Sequence, residues 1–178
     1  MGIIKKAPEL LSEEAVKQAL DIPDFRHMTK EKTIELVSFI PQMDKEAQLA
    51  AIKQVPELAS TALKMAVEYK ETVMTAFAED DEQTKKNLEI ISAAVDVYTG
   101  MLQDENVSDE VKLEIIAGID KLVEQGKGVQ KQSQDWKTKV LGGMAVFSLT
   151  LFAGILTAIG TSSKIDLSEI LKKLPKGK

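Results

Sequence analysis

The chain has no cysteine, so disulfides, thiolate metal sites and a cysteine nucleophile are all excluded. Aromatic residues are scarce at 4%. That argues against sandwiches and barrels and leaves an Ala, Leu, Ile, Glu and Lys composition suited to helices packed on helices. Positive charge is in deficit, with 23 Lys and Arg against 28 Asp and Glu. No global positive field exists to collect phosphates, and nucleic acid is not an expected partner. Histidine is nearly absent too. His27 is the single one, and with no neighbouring motif of known mechanics it reads as a loop residue rather than a catalyst. No enzymatic activity is expected.

Motifs that hold ligands are also missing. "DENVSDEVKLEI" imitates a calcium loop through Asp104, Asn106 and Ser108, but Asp109 stands where the turn needs glycine and Ile115 where a bidentate Glu is required. "GKG" at Gly126–Gly128 lacks the Lys-Ser or Lys-Thr ending of a phosphate loop. No metal and no cofactor are expected. "EDDE", Glu79 to Glu82, reads as a solvated patch that interrupts an apolar stripe, and a turn is expected there. The stretch from Met1 has two lysines but no signal-peptide core, and Lys6 stands where a myristoylation motif wants Ser or Thr.

What is present is helical periodicity. Ser12, Thr29, Asp44 and Ser108 are expected N-caps, each ahead of a charged or amphipathic run. Ile34, Val37 and Ile40 share a face before Pro41 stops the segment, and Pro56 suits a first helical position. Beyond it Leu58, Ala62, Met65, Tyr69 and Val73 recur at spacings of three and four, as do Leu88, Ile91, Val95, Tyr98 and Leu102. A third stripe, Val111, Ile115, Ile119 and Leu122, keeps a coiled-coil spacing that extends through Val129 towards Trp136.

Against this charged background, Lys139 and Lys164 bracket twenty-four consecutive uncharged residues. Val140 to Gly160 as a helix would be roughly 31 Å long, about the thickness of a bilayer's hydrocarbon core. Trp136, Lys137, Lys139 and Lys164 flank the run as membrane-interface residues would. Thr150, Gly154 and Ala158 lie four apart, a small-residue face that lets helices associate closely. After the run, Leu167, Ile170, Leu171 and Leu174 form one face of a short helix made basic by Lys172, Lys173, Lys176 and Lys178. Such a helix suits a lipid interface.

The resulting expectation is an all-α protein. Residues 1–125 would form a helical bundle, 126–139 a polar stalk or linker, 140–162 a single transmembrane helix and 163–178 a basic amphipathic tail. Its expected function is that of a membrane-anchored adaptor or scaffold whose cytoplasmic bundle binds a protein partner. Two alternatives stand beside it. One is a membrane-perturbing, homo-oligomeric effector built on the Thr150, Gly154 and Ala158 face. The other is a soluble bundle in which the apolar run is a central helix, hydrophobic because its neighbours surround it.

Overall fold

The computed structural model describes residues 10–77, 82–126 and 134–159. Three short helices come first, and each starts where a side chain satisfies an otherwise unpaired backbone donor. Ser12 Oγ accepts from the Ala15 amide at 3.3 Å to open α1 (Glu13–Leu20). Thr29 Oγ1 accepts from Lys32 at 3.3 Å to open α2 (Lys30–Phe39). Asp44 Oδ1 accepts from Ala47 at 2.8 Å to open α3 (Lys45–Gln54). Asp21 ends α1 in the left-handed region at φ 52°, its amide turned back to Gln18 and Lys17 carbonyls. Aspartate tolerates that conformation better than most residues. A 3₁₀ turn, Ile40–Gln42, carries Pro41 past the end of α2. Leu11 pairs with Gln42 and Asp44 through two backbone hydrogen bonds, which ties the lead-in of α1 to the start of α3.

Four long helices follow: α4 (Leu58–Ala76), α5 (Glu82–Gln103), α6 (Asp109–Gly126) and α7 (Gln134–Ile159). The stripes expected on α5 and α6 are buried in full, and on α4 Ala66 is buried more deeply than Met65. On α2 the buried face is Thr33, Leu36, Val37 and Ile40 rather than one containing Ile34, which is exposed. Pro56 lies in a turn ahead of α4 rather than in its first turn, because the Leu58 amide returns to the Val55 carbonyl. Helices α4 and α5 are separate and pack on each other, cross-linked by an ion pair between Lys70 Nζ and Asp96 Oδ1 at 2.6 Å. Residues 78–81, which hold most of the expected turn, lie outside the described residues.

The described residues contain no strand, and their helices form a bundle in which α4, α5, α6 and α7 pack along one another. Helices α2 and α3 lie against α4 and α6, and α1 packs on α2 and α3. Phe25, Leu36, Tyr98, Ile115, Ile116 and Ile119 lie at the centre of the core. Each such side chain contributes about 1.5–3 kcal/mol by leaving water.

Residues 140–162 were expected as a single transmembrane helix, and the structure describes residues 140–159 as part of α7. Among the described residues no helix is long and apolar enough to cross a membrane. The helix lies against α5 and α6, and it starts at Gln134, so residues 134–139 are helical. Residues 160–178, and the basic amphipathic tail with them, lie outside the described residues.

Candidate functional site

Helix α7 presents three different surfaces, and they are the strongest candidates for function among the described residues. Its inner face carries Met144, Ala145, Ser148 and Ile155, all buried. Two tyrosines from neighbouring helices fasten that face. Tyr69 on α4 donates to Met144 Sδ at 3.1 Å, and Tyr98 on α5 donates to the Ser148 carbonyl at 2.7 Å. Burial raises both phenols above their ordinary value of 10.0, because a phenolate there would have to surrender its hydration. The pair therefore acts as two neutral donors that set the register of α7.

A second surface faces α6. Gly118 lies so close to α7 that a Cβ there would overlap the Leu151 side chain. Next to this close approach runs a groove with Ala117, Phe147 and Leu151 on its floor and Pro41 at one edge. Glu114 and Glu124 stand exposed on the groove's rim, and Lys121 holds its ammonium 4.7 Å from the Phe147 ring centre, a cation–π distance.

The third surface looks outward. Gly143, Val146, Thr150, Ala153 and Gly154 are exposed there, with Val146 at 64%. Thr150 Oγ1 donates to the Val146 carbonyl at 2.8 Å, so the hydroxyl is satisfied within the helix. A Cβ at Gly143 or Gly154 would meet nothing within 4 Å, so packing among the described residues does not require a glycine at either position.

The structure brings two of the three association residues, Thr150 and Gly154, onto this outer face. Ala158 lies in the same helix, but its side chain is outside the description. Of the residues assigned to a membrane interface, Lys139 is exposed, and Trp136 and Lys137 occupy the first turn of α7 with their side chains outside the description. Lys164, Leu167, Ile170, Leu171, Lys172, Lys173 and Leu174 lie beyond the described residues. Ile115, Ile119 and Leu122, the stripe with coiled-coil spacing, are buried inside the bundle and are committed to its core.

Other polar features have local roles. His27 lies in the loop between α1 and α2 with Nδ1 3.1 Å from Asp24 Oδ1, and Asp24 also accepts from the Arg26 amide at 2.7 Å. Asp104, the first position of the calcium-like stretch, accepts from the Asn106 amide at 2.8 Å and from its side chain at 2.9 Å. It closes a turn. Ser108 then accepts from Val111 at 3.4 Å at the start of α6. Among the described residues no cluster of His, Cys, Asp or Glu could hold a metal ion.

Sequence reasoning missed Gly118 and the groove beside it. The available signal was a glycine inside an otherwise strong helical stripe, which marks either weakening or close approach. Tyr69 and Tyr98 were legible as stripe members but not as donors, because their acceptors lie 75 and 50 residues away. The chain matches no protein-family model, no curated protein and no solved structure.

Proposed function

We propose that the protein is a non-catalytic helical adaptor that docks a protein partner along the outer face of α7. The observation carrying this reading is the two-sidedness of α7, which is anchored by Tyr69 and Tyr98 on one face while Val146 is 64% exposed on the other. Apolar surface left open beside a well-packed face marks an interaction site. The small residues on it suit a second helix laid close along α7, such as an amphipathic helix presenting its own apolar stripe. A second copy of the chain belongs to the same class of partner and would give a homo-oligomer.

The test compares the full chain with Val146→Asp and Thr150→Asp variants of unchanged helix content. The reading expects both variants to weaken a protein complex by about tenfold or more, some 1.4 kcal/mol. Equal binding by all three chains, or a chain that remains monomeric and binds no protein, overturns it.

A second reading keeps the bilayer as partner. Residues 140–163 carry no charge and residues 164–178 are rich in lysine, so the outer face of α7 and the basic segment would rest on anionic lipid with the bundle on the cytoplasmic side. Flotation with anionic vesicles, lost at high salt, is its signature. The membrane-perturbing form of this reading additionally needs several copies meeting through Thr150, Gly154 and Ala158. It expects loss of membrane potential in expressing cells, abolished by Gly154→Leu.

A further inference from the structure

We propose that the basic amphipathic segment 164–178 docks in cis, as a short helix, into the groove between α6 and α7 of its own chain. The inference concerns a surface separate from the outer face of α7 and does not rest on the adaptor reading.

Chemical complementarity is the first argument. The groove offers an apolar floor of Ala117, Phe147 and Leu151. Carboxylates of Glu114 and Glu124 flank that floor, and both residues are exposed. The segment "KIDLSEILKKLPKGK" presents the converse. Leu167, Ile170, Leu171 and Leu174 fall at i, i+3, i+4 and i+7, beside Lys172, Lys173 and Lys176. Apolar side chains would enter between α6 and α7 while the lysines meet the acidic rim.

Reach is the second argument. Helix α7 ends at Ile159, eight residues beyond Leu151, which places the helix end about 12 Å past the groove. Gly160 to Ser163 can span about 13 Å when extended, enough to reverse direction. From Lys164 to Leu174 a helix covers about 15 Å, which returns its apolar stripe alongside Leu151 and Phe147. The short linker holds the segment at millimolar effective concentration, so even weak complementarity gives occupancy. One set of leucines cannot face the groove and a lipid acyl layer together. Docking therefore competes with any membrane contact of the segment.

Absence of native cysteine makes the test direct. In the full chain, Leu171→Cys is paired with Ala117→Cys in the groove and, as control, with Glu68→Cys on the exposed surface of α4. Docking predicts an intramolecular disulfide for the groove pair, forming about tenfold or more faster than for the control. Lys172→Glu with Lys173→Glu should slow that bond, and Glu114→Lys with Glu124→Lys in the same chain should restore it, a rescue that misfolding would not give. Equal rates for the two pairs overturn the proposal. So does a disulfide found only between chains, which means a second copy fills the groove. A groove pair that reacts slowly in buffer while Leu171→Cys becomes protected on anionic vesicles also overturns it, in favour of lipid.

Discussion

Helices α1 to α3 and helix α7 reach their places by different routes. Each of the first three spans 8 to 10 residues, opens at a capping side chain and buries one side against other helices. Helix α7 spans 26 residues and carries no ionisable side chain from Val140 to its end. A charged, capped helix announces both its ends and its wet face. An apolar helix announces only that it is a helix. Nothing in its own composition distinguishes the face that meets Tyr98 from the face left exposed among the described residues, so its partners decide.

The sharpest way to break this contrast is to remove a partner of α7. Tyr98→Ala should destabilise the bundle by about 3–5 kcal/mol, since a fully buried aromatic leaves a cavity and the Ser148 carbonyl loses a donor. Denaturant unfolding measures the loss. A helix docked only loosely would show far less.

Gly118→Leu should cost about 1–3 kcal/mol by forcing apart α6 and α7, which meet at Leu151. The same substitution at Gly143 should be tolerated, because a side chain there enters open space. Thermal melts of the two variants separate the inner and outer faces of α7.

Capping tests the other side of the comparison. Asp44→Ala and Ser12→Ala should each cost about 1 kcal/mol. Tyr98→Phe removes only the hydrogen bond to α7 and should cost a similar amount, about 0.5–1.5 kcal/mol. If Asp44→Ala costs nothing, tertiary packing rather than the cap holds α3, and the contrast with α7 softens.

The chain has two tyrosines, both buried against α7. Their folded-state pKa values are raised, so the stability they contribute is fully present below the unfolded value of about 10 and declines as pH rises beyond it. Native protein should show no phenolate absorbance near that pH, and phenolate should appear together with loss of helix. In denaturant both tyrosines should titrate near 10. At the acid end, Asp24 and Asp104 are held below the ordinary carboxylate range by amides of Arg26 and Asn106. Their contribution is present above the unfolded value and is lost as pH falls through the folded one.

The smallest effect on stability is expected at the outer face. Val146→Asp should stay within about 0.5 kcal/mol of the parent, because Val146 is largely exposed. Its consequence should appear in association alone.

By itself the sequence determined the helical class, the caps at Ser12, Thr29, Asp44 and Ser108, and the buried stripes of α5 and α6. These are local properties, set by spacing and by side chains that bond amides three residues ahead. It could not decide between lipid and protein around the apolar run. Length and lack of charge record only that no face of a helix demands water, and both surroundings satisfy that condition. What tertiary structure decided is which face of α7 turns inward, through residues far off in the chain: Tyr69, Tyr98 and the missing side chain of Gly118. Thr150 and Gly154 were legible as a small-residue face, yet only the packing of Met144, Ser148 and Ile155 placed that face on the outside. A helix has no inside until its neighbours arrive.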